Sequence, residues 1–133
     1  MTRARNLAVV LIFLTGFLHI ALVWIYGLFE FRQFAYAFAF MGTIYIALMP
    51  GVIIGRKSFY GLTMIYAIVI LGIWTYSKIG VLGEAFGGPY PDIDFWQVFV
   101  KGIEVILVID LLALLLAPTT PVATQVAQAP QPH

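Results

Sequence analysis

The chain has 133 residues, of which 62% are hydrophobic and 10% are charged, and its mean hydropathy is +1.01. A soluble domain carries about 25% charged residues, and a chain this short has too little interior to bury so much apolar surface. There is no cysteine, and the net charge is only +1. The composition predicts an integral membrane protein and argues against disulfide frameworks, thiolate metal sites and nucleic-acid partners.

Four apolar segments follow one another along the chain, at residues 7–26, 34–54, 60–76 and 98–116. Each is close to the roughly 17–25 residues that cross a hydrocarbon core as an α-helix. The second begins with the alternating pattern FAYAFAF, but an isolated strand in lipid would leave its backbone groups unpaired. We therefore predict an all-α membrane domain over residues 1–117, a bundle of four transmembrane helices.

Two segments fall outside these predicted spans. Residues 77–95 are rich in glycine and proline and form a connection too short for a domain. Residues 118–133 consist largely of proline, alanine and glutamine and carry no lysine, arginine, aspartate or glutamate. Such a composition predicts a disordered tail.

The basic residues outside the spans are distributed unevenly. Four lie on the side of both termini, namely Arg3, Arg5, Arg56 and Lys57. The other side has two basic residues together with four acidic residues, and it lies next to all three tryptophans, Trp24, Trp74 and Trp96. The positive-inside rule then predicts that both termini are cytoplasmic, and the short loops fit a multi-pass protein of a prokaryotic cell (plasma) membrane.

Ionisable residues inside the spans predict an outer polar cluster of His19, Lys101 and Glu104. At 1.5 Å per residue, His19 and Glu104 both lie about 4–5 Å to the outer side of the midplane. Lys101 is one turn further out, where it can extend to the surface or bond Glu104. The cluster is either a buried hydrogen-bonded group that fixes helix register or a protonatable relay.

A second polar site is predicted around Asp110, with Tyr66 at its level and Tyr45 nearby. Asp110 lies about 120° from Glu104 around the helix, so one partner would not serve both carboxyl groups. The simplest interpretation is a neutral carboxyl group that donates to a tyrosine or a backbone carbonyl. The same angle argues against a metal site, and one intramembrane histidine does not supply a bis-histidine haem. We predict no metal and no cofactor.

Small residues recur at every fourth position of the second span: Ala35, Ala39, Thr43, Ala47, Gly51 and Gly55. Such spacing lets another helix approach closely, which replaces the hydrophobic drive that lipid does not provide. The row predicts either a contact within the bundle or a face for a second chain.

No phosphate loop, nucleophile elbow or zincin motif occurs, so the chain is not expected to be an enzyme by itself. His19 lies in TGFLHIALVWIYG, and Lys101 and Glu104 lie in VKGIEVILVIDLL. In this arrangement the chain resembles small uncharacterised four-span proteins of archaea and bacteria with a histidine in the first span and Lys-x-x-Glu in the last. The resemblance implies a four-helix membrane protein and carries no established activity.

Two classes of function follow from these features. The first is an accessory or structural subunit of a larger membrane complex of respiratory or oxygenase type, supported by the small chain, short loops and small-residue row. The alternative is an oligomeric proton-linked transporter or channel that uses His19 and Glu104. The expected partners are the lipid bilayer and either other membrane subunits or a second copy bound through the small-residue row.

Overall fold

The computed structural model describes residues 2–26, 32–78 and 95–118. These residues form four α-helices: α1 (Arg3–Tyr26), α2 (Arg32–Ile54), α3 (Lys57–Lys78) and α4 (Phe95–Leu116). The prediction of an all-helical chain is confirmed for this part of the sequence. Residues 119–133 of the predicted tail and most of the predicted connection at 77–95 lie outside the described residues.

All four helices begin earlier than the apolar segments predicted; α2 starts at Arg32 and not at residue 34, and α4 starts at Phe95 and not at residue 98. α1 starts at Arg3 and not at residue 7, because Thr2 caps it by accepting a hydrogen bond from the Arg5 amide through its hydroxyl oxygen, at 3.3 Å. α3 starts at Lys57 and not at residue 60, with the amide of Phe59 donating to the Arg56 carbonyl at 2.9 Å. Apolarity marks the part of a helix that suits lipid, whereas the helix itself continues into the polar residues beyond it.

Three helices are long and apolar enough to cross a membrane, judged by length and composition: Arg3–Trp24, Ala35–Ile54 and Lys57–Tyr76. These helices identify the chain as a membrane protein. α4 has 22 residues, which is also a sufficient length, but it carries Lys101, Glu104 and Asp110 in its central part.

The four helices pack as a ring in chain order. α1 packs most extensively against α2, and α4 packs against both α1 and α3, while the contact between α2 and α3 is smaller. α1 therefore lies diagonally opposite α3, and α2 lies diagonally opposite α4. The buried face of α4 is one continuous stripe of seven residues, namely Gln97, Val100, Ile103, Glu104, Leu107, Leu111 and Leu114.

A two-residue link reverses the chain between α2 and α3. Gly55 has φ +83°, a left-handed conformation that glycine adopts without the strain a side chain would add. Its amide donates to the Val52 carbonyl at 3.0 Å, and the Arg56 amide donates to the Gly51 carbonyl at 3.3 Å. This pair of bonds is a Schellman motif, which satisfies the last carbonyls of α2 and allows α3 to begin at once.

Contacts around this link show which helix ends lie together. The Arg5 guanidinium lies over Gly55, where a Cβ atom would come within 2.5 Å of its Nη1. Lys57 Nζ donates to the carbonyls of Leu115 and Ala117 at 3.2 and 2.9 Å. The start of α1, the α2–α3 link and the last turn of α4 thus share one end of the bundle, called here the basic end. The tryptophans lie towards the opposite, tryptophan end, where Trp74 Nε1 donates to Gln97 Oε1 at 3.4 Å.

Close packing of α1 on α2 depends on two glycines in the middle of the helices. A Cβ atom at Gly42 would lie 2.5 Å from the Gly16 carbonyl oxygen, and one at Gly16 would lie 3.0 Å from the Gly42 carbonyl oxygen. The distance at Gly42 is too short for any side chain, and the distance at Gly16 would require the neighbouring atoms to shift. The absence of a side chain at Gly16 and Gly42 therefore sets how closely the backbones of α1 and α2 approach each other.

The small-residue row of α2 does not form one packing face within the bundle. Ala35 and Gly51 are buried, but Thr43 and Ala47 between them are exposed. The reason is geometric, since a step of four residues turns about 40° beyond a full helical turn and the row winds around the helix. Of the two alternatives predicted for this row, a contact within the bundle describes Ala35 and Gly51, whereas Thr43 and Ala47 face outwards.

Candidate functional site

Each of α1, α2 and α4 places polar side chains in the middle of the bundle, and together they form one group. This group, called here the polar centre, consists of His19, Tyr45, Lys101 and Glu104. The side chains of His19 and Glu104 are 1% and 0% exposed, and that of Lys101 is 12% exposed. Glu104 lies at the junction, because each of the other three side chains approaches one of its two oxygens.

Glu104 accepts hydrogen bonds on both carboxyl oxygens. Lys101 Nζ donates to Oε2 at 2.7 Å from one turn away on the same helix. The Tyr45 hydroxyl donates to Oε1 at 3.0 Å from α2, across the diagonal of the ring. A carboxylate buried without such donors would be strongly unfavourable in a water-free interior. The two donors and the lysine charge account for how a fully buried glutamate is accommodated.

His19 has a fixed orientation and a defined tautomer. Its Nδ1 lies 2.9 Å from the Thr15 carbonyl oxygen, one turn earlier on α1. Because a carbonyl oxygen only accepts, Nδ1 carries the hydrogen of this bond. The other ring nitrogen, Nε2, faces Glu104 Oε1 at 3.6 Å. The position between Nε2 and Oε1 is therefore where a further proton would bind.

Aromatic rings enclose the polar centre on the sides of α2 and α3. The Tyr66 ring meets the Tyr45 ring edge to face, with 4.8 Å between centroids, and its hydroxyl donates to the Met41 carbonyl at 3.0 Å. The His19 ring lies 5.8 Å from the Tyr45 ring and 6.3 Å from the Phe38 ring, again between centroids. These contacts restrict the rotation of both hydrogen-bonding rings.

Below the polar centre, towards the basic end, most of the buried side chains are apolar. Ile12, Val52, Leu107 and Leu111 are all 0% exposed and belong to one contact cluster. They lie one to two helical turns from His19, Tyr45 and Glu104 along their own helices. This group is called here the apolar layer. It separates the polar centre from the basic residues at the end of the bundle.

Above the polar centre, towards the tryptophan end, a polar residue continues the face of α4. Gln97 is buried at 8% exposure and lies one turn from Lys101, which in turn lies one turn from Glu104. These three residues fall within about 60° of one another around the helix. Gln97 was not recognised in the sequence, although its spacing of four residues from Lys101 was a signal for it.

The second predicted polar site, formed by Asp110 with Tyr66 and Tyr45, is not what the structure shows. Tyr45 bonds Glu104 and Tyr66 bonds a backbone carbonyl, while Asp110 Oδ2 is buried with no hydrogen-bond partner in the described part of the chain. Helical rise gives the depth of a Cα atom, whereas a tyrosine carries its hydroxyl beyond the length of one helical turn. Tyr45 therefore belongs to the polar centre.

Other buried polar atoms surround the same interior. The hydroxyl oxygens of Thr15 and Thr63 are buried and have no hydrogen-bond partner among the described residues. The function of Thr15 in the polar centre comes instead from its carbonyl, which orients His19. Because every residue has a backbone carbonyl, the residue type at position 15 is no signal for this bond.

The polar centre can hold a proton, and its ligand set is not that of a metal site. Across residues 2–26, 32–78 and 95–118, no group of three histidine, cysteine or carboxylate side chains is placed to share a metal ion. The nearest combination is His19 with Glu104, whose carboxyl oxygens already accept from Tyr45 and Lys101. The chemistry available to this group is hydrogen bonding and proton exchange.

Comparison with known protein families, with curated proteins and with solved structures finds no match to this chain.

Proposed function

We propose that α4 is a fourth membrane span and that the chain is a four-span protein of a cell membrane with both termini cytoplasmic. The length of α4 and its packing against α1 and α3 support this assignment. Lys101 and Glu104 would not prevent insertion, because they pair with each other and with Tyr45 inside the bundle. The placement of Arg3, Arg5, Arg56 and Lys57 supports a cytoplasmic basic end.

The proposed biochemical function is that of an accessory or structural subunit of a larger membrane complex, of respiratory or oxygenase type. One observation carries this proposal: in the described part of the chain, the apolar layer lies between the ionisable side chains that contact one another and the basic end of the bundle. One copy therefore offers no polar route through the bundle that a substrate could follow. The resemblance to small four-span proteins of archaea and bacteria belongs to the same proposal.

The exposed part of the small-residue row is the surface proposed for the partner. Thr43 and Ala47 lie on the outer side of α2, and Tyr36 and Phe40 are 76% and 68% exposed on the same side. Small residues on a lipid-facing side let a partner helix come close to the backbone, and the rings flank that contact. A helix of a larger subunit is the proposed occupant.

A second candidate is an oligomeric proton-linked transporter or channel. The observation that favours it is the 3.6 Å approach of His19 Nε2 to Glu104 Oε1. Since intramembrane histidine and carboxylate groups are common parts of proton relays, this pair has the required chemistry. The apolar layer blocks the route within one copy, so this function would need a path formed between copies.

Native mass spectrometry of the protein purified from its own membrane in mild detergent tests the proposal. A larger protein bound at fixed stoichiometry is the expected result. An Ala47→Leu variant should lose that partner, whereas the matched Ala113→Leu variant, on the exposed side of α4, should keep it. A homo-oligomer with no other protein would contradict the subunit proposal and favour transport. Retention of the partner by Ala47→Leu would contradict the proposed surface.

A further inference from the structure

Access to the polar centre differs between its two sides. Towards the tryptophan end, Gln97, Lys101 and Glu104 follow one another at single-turn spacing on one face of α4. Lys101 is the member of the polar centre with exposed surface, at 12% of its side chain. Trp74 Nε1 donates to Gln97 Oε1, which extends the hydrogen-bonding groups to the adjacent helix α3.

Towards the basic end, the corresponding positions are apolar. Leu107 and Leu111 continue the face of α4 below Glu104, and both are 0% exposed. Ile12 and Val52 close the same level from α1 and α2. A proton needs hydrogen-bonding groups or water at each step, and these side chains provide neither. Three buried polar atoms do lie towards this end, Thr15 Oγ1, Thr63 Oγ1 and Asp110 Oδ2, but none has a hydrogen-bond partner among the described residues. No hydrogen bond therefore continues the line of polar groups beyond Glu104 and His19.

The end of this line has one open proton position. His19 Nδ1 is bonded to the Thr15 carbonyl, so Nε2 is the nitrogen that gains or loses a hydrogen. The titratable groups that surround it are Glu104 and Lys101 from α4 and Tyr45 from α2, with Tyr66 from α3 against Tyr45. A proton on Nε2 would point at Glu104 Oε1.

We propose that Gln97, Lys101 and Glu104 form a one-ended path by which His19 exchanges a proton with the aqueous phase at the tryptophan end. One proton enters along this path, binds between Nε2 and Oε1, and leaves along the same path, so the net charge of the polar centre rises and falls by one. This inference goes beyond the function as a subunit. It makes the charge inside the bundle dependent on the pH at one face of the membrane.

Nitrogen NMR of the His19 ring in lipid vesicles tests the one-ended path. The chain has two histidines, so a His133→Gln variant leaves His19 as the sole signal. Iodide quenching of tryptophan fluorescence gives the fraction of molecules whose tryptophan end faces outwards. When the external pH is lowered and the internal pH is held, that fraction of the His19 signal should shift. A shift of the other fraction, of both fractions, or of neither at any pH would overturn the proposal.

A change in the path itself gives a second readout. In Gln97→Leu, the rate of the His19 response should fall on the order of tenfold, because one hydrogen-bonding group is lost from the line. The matched control is Thr63→Val, which removes a buried hydroxyl that has no partner among the described residues, and its rate should stay unchanged. Gln97→Met replaces Gln97→Leu if the latter does not fold. Equal rates in wild type and the Gln97 variant would contradict the path. The measurement uses the purified chain, so its outcome does not depend on whether a larger partner exists.

Discussion

The contact of α1 with α2 and the contacts of α4 hold helices together in different ways. α1 and α2 meet through glycine, where Gly16 and Gly42 bring two backbones close without any charged group. α4 is held through side chains, with Glu104 bonded to Tyr45 and facing His19. Lipid is as apolar as the helix surface, so neither contact gains from the hydrophobic effect. Close packing and hydrogen bonding are the two remaining sources of association; this bundle uses close packing between α1 and α2 and hydrogen bonding between α2 and α4.

Removal of the Glu104 carboxyl group should lower the free energy of unfolding more than any other change considered below. Glu104→Leu leaves the Lys101 ammonium and the Tyr45 hydroxyl without their acceptor, and loss of one member of a buried ion pair costs about 3–5 kcal/mol. Reversible unfolding in mixed micelles, followed by circular dichroism, measures this change. The control is Asp110→Leu on the same helix, which should not lower the free energy of unfolding. Equal losses in both variants would show that the hydrogen bonds of Glu104 do not hold α4.

A side chain added at the contact between Gly16 and Gly42 should cause the next largest loss of stability. In Gly42→Ala, the added methyl group meets the Gly16 carbonyl oxygen and Ile20, and overpacking of this kind costs about 1–3 kcal/mol. A Cβ atom at Gly72 has no neighbour within 4 Å, so Gly72→Ala should leave stability unchanged or raise it by up to about 1 kcal/mol. The same unfolding assay compares the two. A Gly42→Ala variant as stable as wild type would contradict the close approach of α1 and α2.

Loss of a single buried tyrosine hydroxyl should lower the free energy of unfolding by a smaller amount. Tyr45→Phe removes a donor to Glu104 but leaves Lys101 in place, so we expect a loss of about 1 kcal/mol. Tyr66→Phe removes a bond to the Met41 carbonyl and should cost about 0.6 kcal/mol, the average for such bonds in membrane bundles. Tyr36 is 76% exposed, and Tyr36→Phe serves as the control with no change. If Tyr36→Phe lost the most stability and Tyr45→Phe the least, the result would argue against the polar centre as described.

The smallest loss of stability is expected from removal of the Lys57 charge at the basic end. Lys57 donates to the last carbonyls of α4, and a cation at a helix C-terminus contributes about 0.3–1 kcal/mol. Lys57→Gln should lower stability by that amount and increase hydrogen exchange of the amides near residues 113–117. Arg56→Gln is the matched control, because Arg56 acts on α3 through its backbone carbonyl. Unchanged exchange in Lys57→Gln would show that this contact does not hold the end of α4.

The sequence indicated some of these features and not others, for physical reasons. Apolar length was enough to predict helices, and helical rise placed His19 and Glu104 at one level, as they are found. Rise alone did not place Tyr45, since the reach of its side chain decides which carboxyl group it meets. The row beginning at Ala35 was judged by spacing, but the winding of a four-residue step turns Thr43 and Ala47 outwards. Gly16 and Gly42 give no periodic signal, and their contact depends on the tertiary arrangement.

The order of the helices along the chain has a consequence for biosynthesis. The three helices that are apolar enough to cross a membrane come first, and α4, with its three ionisable residues, comes last. The groups that bond or face Glu104 from other helices, Tyr45 and His19, are therefore already synthesised when α4 leaves the ribosome. We expect α4 to insert through the translocon poorly when expressed alone and well behind α1–α3, which glycosylation mapping of truncated chains would measure. If α4 inserted equally well alone and behind α1–α3, its insertion would not depend on Tyr45 and His19.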